Sequence, residues 1–408
     1  MKRHTHAFLA VPALIALALT ACGPKAPSEG AGTPAAAVAA PSAADRAAVA
    51  ASVARAALIK TGDHVLVTGS VRDADLLEDL AVETMKLGGQ PLIAIGSQRL
   101  GRRSYDEVPA SYDSQPQTLG IALVNAFDVQ LSVDVGESEN IMAGVPAARI
   151  AARAAANQPV VEAFLKRGVR SVNLGNGLYP TAALAGRLGK TQAEITTIFW
   201  KAATVSPETI RTKGEAIRSA LAGAKQVTLS SANGTNITFG VVADRGFVSD
   251  GAITADKVKQ GSAATQTWLP AGELLLPVAL GTAEGKVVVD KLNFQGTTIE
   301  GLTLVFSKGA LTAMTAKSGL DALKALYDAS SGGKEQFSYI DVGLNPEAKL
   351  PTNTGRIVWM APGGMTIGMG DNTGWGGTNV SSFGLAGSVD AATLSVDGKV
   401  LIENGTLK

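Results

Sequence analysis

From Asp45 the apolar positions fall at helical spacing: "DRAAVAASVARAALIK" places Val49, Val53 and Leu58 on one face, with Asp45 as the N-cap. The β-branched run Val65 to Thr68, closed by Gly69, predicts a short strand. "DADLLEDLAVETMKLGG" predicts a helix stopped by Gly88, and "PLIAIG" the next strand. Strand, helix and strand in that order form a βαβ unit, hence a parallel sheet. The alternation continues through the strand "VQLSVDV", the helix "PVVEAFLKRG", the strand "RSVNL" and a helix opened by Ser206 and Pro207. Beyond "KQVTLSS" the texture changes to alternating strands, ending in a hairpin pattern around Asp397-Gly398. The fold class is therefore α/β: an N-terminal α/β domain with a parallel-type sheet over residues 45–226, then a β-rich α+β domain over 227–408.

Ahead of these elements lies a different pattern. Lys2 and Arg3 precede the apolar run "AFLAVPALIALALT", the layout of a secretory signal over residues 1–21. Leu19 to Cys22, "LTAC", resembles the bacterial lipobox, and Cys22 is the only cysteine in the chain. Cys22 is accordingly read as a lipid anchor, and the Ala/Pro-rich residues 22–44 as an unfolded tether. For a Gram-negative host, Gly23 after the cysteine resembles lipoproteins passed to the outer membrane, and the expectation is an anchored body facing the periplasm. Loss of Lys2 and Arg3 with the leader moves the formal charge from +1 to −1, which argues against a nucleic-acid partner.

Histidine usage narrows the chemistry. Of three histidines, His4 and His6 belong to the leader, leaving His64 at a strand entry, where an edge role is favoured over a catalytic one. No G-x-x-x-x-G-K-[ST] or G-x-S-x-G occurs, and "GMGDNT" carries Thr373 where a third dinucleotide-loop glycine would stand. Carboxylates remain. Glu273 in "LPAGELLL" and Asp341 in "SYIDVGLNP" enter apolar runs, where an acid is either solvent-facing at a strand end or paired with a partner or metal. Asp371 in "GMGDNTG" suits turn hydrogen bonds.

Several segments taken in order resemble the aminopeptidase T, or thermophilic metallopeptidase, family of leucyl aminopeptidase-like enzymes: "IKTGDHVLV", "NGTNITF", "LPAGELLLPVAL", "YIDVGLNPEA" and "GGMTIGMGDNTGWGGTNVSS". The resemblance implies two metal ions held by two glutamates, two histidines, a tyrosine and an aspartate, a set that polarises a peptide carbonyl and activates water. It also implies a homodimer. Carried over position by position, Glu273 is kept and Asp341 stands one methylene short of the second glutamate. Thr366 and Gly384 stand at the histidines, Thr373 at the tyrosine and Ala386 at the aspartate.

Two carboxylates cannot supply two sites that each need about three protein ligands. The expectation is a family member with a degenerate site and no resident cofactor, binding a peptide or small molecule without cleaving it. The alternative is a metal-dependent aminopeptidase or other hydrolase whose divalent ion sits in an oxygen-only site of Glu273, Asp341 and, more speculatively, Asp371.

Overall fold

The computed structural model describes residues 42–134, 141, 144–294, 297–373 and 376–408. The leader, Cys22 and nearly all of the tether lie outside the described residues, as do Gly374 and Trp375 of the glycine-rich stretch. In chain order the strands are β1 (His64–Ser70), β2 (Gln90–Gly96), β3 (Val129–Val133), β4 (Arg170–Leu174), β5 (Val227–Ser230) and β6 (Asn236–Phe239). There follow β7 (Phe247–Ser249), β8 (Gln266–Leu269), β9 (Glu273–Pro277), β10 (Glu284–Phe294), β11 (Thr297–Ser307) and β12 (Ala310–Thr315). The last six are β13 (Phe337–Gly343), β14 (Met365–Gly370), β15 (Gly384–Val389), β16 (Thr393–Val396), β17 (Lys399–Glu403) and β18 (Thr406–Leu407).

The chain forms two compact units. The N-terminal unit holds the described residues up to Thr204 together with Gly251–Pro270. Its sheet is parallel, in the order β2-β1-β3-β4-β8. The first helix, Ala43–Ala56, buries Val49 and Val53 as the periodicity predicts. Its cap is Ser42 rather than Asp45: the Ser42 hydroxyl accepts from the Asp45 N–H at 3.1 Å. Asp45 thus sits in the first turn, where the helix dipole favours a carboxylate. Leu58 falls beyond the helix end with φ 51° and does not extend the face. The helix expected at Pro159 instead spans Ala147–Arg167 with Pro159 inside it. Its alanine-rich first half supplies the helix propensity that tolerates the missing N–H.

The passage between units falls at Thr204/Val205, ahead of the change in sequence texture near residue 226. The helix Pro207–Leu221, capped by Ser206, packs against β7 and β9 and so belongs with the C-terminal strands. Residues 251–270 then return to add β8 to the parallel sheet.

The C-terminal unit, Val205–Asp250 with Ala271–Lys408, carries two antiparallel sheets. The larger has the order β12-β11-β10-β6-β5-β16-β17-β18, and the smaller β15-β14-β13-β9-β7. Phe337 of the smaller sheet meets Phe239 and Phe306 of the larger at ring-centroid distances of 5.2 and 5.1 Å. The Asp397-Gly398 turn has φ of 47° and 86° and joins β16 to β17, the geometry a two-residue hairpin loop needs.

Candidate functional site

The smaller antiparallel sheet carries five of the six positions that the resemblance assigns to metal ligands; Thr373 lies outside its strands. In its register Asp341 on β13 lies opposite Leu275 on β9 and Thr366 on β14, while Glu273 lies opposite Gly343. On β15, Ser388, Ala386 and Gly384 lie opposite Thr366, Gly368 and Gly370. Directly opposed residues share a face and side chains alternate along each strand. Glu273, Asp341, Thr366, Ala386 and Gly384 therefore all belong to one face, with Glu273 and Asp341 as diagonal neighbours.

Two of the motifs that carry the family resemblance make tertiary hydrogen bonds, the first beside this face and the second within the larger sheet. The Asn345 amide donates to the Ala271 carbonyl at 2.6 Å, and the Leu344 N–H donates to Gly272. Gly272 has φ +131°, and a Cβ there would lie 2.7 Å from the Asn345 Cβ, so glycine is required before Glu273. In "NGTNITF" the Asn233 amide donates to the Val288 carbonyl at 3.0 Å, tying the β5–β6 turn to β10.

Asp341 is 1% exposed, and neither carboxylate oxygen has a hydrogen-bond partner among the described residues. Burial pushes its pKa well above the usual carboxylate range and the negative charge of Glu273 adds to this, with the dipole of the neighbouring Val342 N–H opposing them. Thr366, directly across, is also buried. Tyr339, two residues before Asp341 and on its face, is buried, and a Cβ on Gly368 would fall 1.9 Å from its ring. The ring thus lies over Gly368, beside Ala386. Burial, and secondarily Asp341, raise the phenol above its ordinary value. Sequence reasoning passed over Tyr339; its spacing of two from Asp341 in a strand is the signal that places it on this face.

Asp371 faces other partners. Its carboxylate accepts from the Thr373 N–H and hydroxyl at 3.1 and 2.9 Å and from the Ser381 N–H at 3.1 Å. These are turn bonds, and they occupy Thr373 as well. Among the described residues no group of three His, Cys, Asp or Glu side chains is placed to hold a metal, so Glu273, Asp341 and Asp371 do not converge. His64 lies in the N-terminal unit at the start of β1, exposed, with Nδ1 2.9 Å from the Ala126 carbonyl oxygen.

A profile of the family described as thermophilic metalloprotease (M29) matches residues 45–335. The chain belongs to this family. The matched segment includes Glu273 and ends before Asp341 and the glycine-rich stretch. Among solved structures, this M29 chain is similar to wild-type AmpT from Thermus thermophilus, with a TM-score of 0.65 and 17% identity over 89% of this chain and 98% of that one. It is also similar to 2,5-dihydroxypyridine dioxygenase from Pseudomonas putida KT2440, with a TM-score of 0.53 and 16% identity over 90% and 98% of the two chains. No curated protein matches. These likenesses show the mixed α/β fold, and one fold carrying such different names does not dictate a reaction.

The family name implies a metal, and the donors here can be tested against it. Orphaned, buried Asp341 oxygens beside Glu273 suit one hard cation. They do not suit a two-metal centre: Thr366 and Thr373 offer neutral hydroxyls, and Ala386 and Gly384 offer no side-chain donor.

Proposed function

We propose that this M29 chain is a membrane-tethered, non-hydrolytic member of its family that binds a peptide or small molecule. One observation carries the reading. The face where a two-metal centre would stand presents Thr366 across from Asp341, with Ala386 and Gly384 beyond, leaving two acids and no nitrogen ligand. The Tyr339 ring over Gly368 supports it, since an aromatic side chain occupies space on that face. The lipobox-like "LTAC" supports attachment through Cys22 to the outer membrane, facing the periplasm.

The test is hydrolysis of leucyl and other aminoacyl fluorogenic substrates by the mature chain in Zn²⁺, Co²⁺ or Mn²⁺. No turnover above buffer is expected. Turnover that disappears in Glu273→Ala would reverse the assignment. A second reading is favoured by the unpartnered Asp341 oxygens: a single divalent ion held by oxygen ligands, supporting a hydrolase. Stoichiometric metal retained through gel filtration and lost in Asp341→Asn would select it.

A further inference from the structure

Parallel strands buried on both faces usually read as unbroken apolar runs. β3 and β4 do not: every residue of "VQLSV" and "RSVNL" is buried, yet Gln130, Ser132, Ser171 and Asn173 interrupt the apolar positions. In the register Ser132 lies between Thr68 on β1 and Asn173 on β4, and Gln130 lies beside Ser171 two residues earlier. Opposed residues share a face, so one side of the sheet is polar here. The other side carries Val67, Leu131 and Val172. Helices cover both sides. A Cβ on Gly69, on the apolar side, would meet Leu77 of the helix Ala74–Lys86. On the polar side Leu66 clusters with Val124, Val160 and Phe164 of the helices Thr118–Ala126 and Ala147–Arg167. The winding therefore changes sides between the adjacent strands β1 and β3. Ligands of open α/β sheets bind at such a switch point, outside the carboxyl ends of the strands.

At those ends the polar side runs into one connected set of groups. The Asn173 amide donates to the Ser132 hydroxyl at 3.2 Å and to Asp134 Oδ1 at 2.9 Å, and its oxygen accepts from the Asn176 N–H at 3.1 Å. The Gly177 N–H donates to Asp134 Oδ2 at 3.2 Å. A Cβ on Gly175 would fall 2.1 Å from that oxygen, so glycine lets the backbone close on the carboxylate. Arg72 adds β1 to the set, donating to the Asp134 carbonyl and to Asp73, which also accepts from the Tyr179 hydroxyl. Exposure falls from Arg72 through half-buried Asp134 and Asn176 to buried Asn173. Deeper still is Ser171, 1% exposed, whose hydroxyl has no partner among the described residues. A buried hydroxyl left over beside a bonded network marks a place for water or a ligand hydroxyl.

We propose that this end of the parallel sheet is a sugar-binding site, in which Asp134 and Asn173 bond neighbouring hydroxyls. Sugar hydroxyls both donate and accept, which suits an amide set beside a carboxylate. An ionised carboxylate accepts in about four directions, so Asp134 can hold Asn173 and Gly177 and take a ligand hydroxyl as well. Trp268, half-buried on β8 and opposite Asn173, offers the C–H face of a pyranose a flat apolar surface. Other small ligands fit less well. Two carboxylates, Asp73 and Asp134, stand against one guanidinium, which disfavours a phosphate ester. β1 also runs into "VRDAD", without the glycine-rich turn that a pyrophosphate needs. An amino acid would require Arg72 for its carboxylate, and Asp73 already holds that guanidinium at 2.8 Å. The site lies wholly in the N-terminal unit and is independent of what the C-terminal face binds.

Calorimetric titration of the mature chain with D-glucose, D-galactose and N-acetyl-D-glucosamine tests this, with leucine and inorganic phosphate as the competing chemistries. At least one sugar should bind saturably with a Kd of about 1 mM or tighter, and neither leucine nor phosphate should displace it. Asp134→Asn puts a donor where an acceptor stood and should weaken the sugar at least about tenfold. Ser171→Ala separates binding from folding. It deletes a hydroxyl without a protein partner, so the melting temperature without sugar should hold or rise while affinity falls about three- to tenfold. No saturable binding by any of the three sugars up to about 20 mM would overturn the proposal. So would sugar affinity that survives Asp134→Asn or, should that variant not fold, survives Ser171→Ala. Leucine or phosphate binding that Asp134→Asn removes would overturn it in favour of an amine or anion site.

Discussion

Asp341→Asn removes the ionisable group of the candidate site at nearly constant shape. Asp341 is buried, its oxygens lack partners, and Glu273 lies diagonal to it. A buried polar group without a partner costs about 1–3 kcal/mol, and one forced to carry charge costs more. The sign follows from linkage. Burial and Glu273 raise the pKa of Asp341 in the folded chain, whereas the unfolded chain titrates at about 3.9. Above that value the unfolded state sheds a proton that the folded state keeps. Each further pH unit, up to the folded value, then costs as much as about 1.4 kcal/mol. Below it both states are protonated and the penalty vanishes. In chelator at pH 7 Asp341→Asn should therefore be the more stable protein by about 1–3 kcal/mol, or roughly 3–10 °C in melting temperature for a unit of this size. The advantage should shrink on acidification and be lost by about pH 3.5. Melts followed by circular dichroism at several pH values would show it. A variant that melts at or below wild type at pH 7, or keeps the same advantage at low pH, would refute the argument. Wild type stabilised by Mg²⁺ or Mn²⁺ while the variant is not would favour the single-cation reading.

Two further perturbations probe the frame and the other unit. Asn372→Ala removes an amide that donates to the Ser338 carbonyl at 2.8 Å and accepts from the Asn379 N–H at 2.9 Å, leaving the buried Asn379 N–H without its partner and the Ser338 carbonyl with the Val278 N–H alone. A loss of about 1–3 kcal/mol in denaturant unfolding is expected, and a loss under about 0.5 kcal/mol would show the loop to be held otherwise. In the N-terminal unit, Arg149, and then Arg153, hold Asp113 down to about 2. A depressed carboxylate stabilises above its unfolded value near 4 and loses that contribution as pH falls toward 2. Asp113→Asn should flatten the acid unfolding of this unit over that window, whereas an unchanged acid profile would assign the pH dependence elsewhere.

What could be read from the sequence, and what could not, divides by the range of the interactions. Ser206 as a cap, Gly88 as a helix stop and Asp397-Gly398 as a hairpin turn depend on neighbours within a few residues, and all three stand where local pattern puts them. The passage at Thr204/Val205 and the return of residues 251–270 depend on which sheet a strand joins, which hydropathy does not encode. The site divides in the same way. Motif spacing identifies Glu273, Asp341 and the substituted positions, but only strand register places them on one face and sets the Tyr339 ring over Gly368. The glycine-rich stretch joins the two scales. A Cβ on Gly377 would lie 2.1 Å from the Asn372 side chain, and the Asn379 amide donates to the carbonyls of Gly333 and Gly370. Amide groups and close backbone packing, with Asp371 capping its own turn, supply the cohesion of this loop. Such bonds involve none of Thr366, Gly384 and Ala386. These three positions are thus separable from the loop's structural bonds, whereas Thr373 is held in the Asp371 turn, so a chain can keep "GMGDN" and the glycines around it while offering no histidine to a metal.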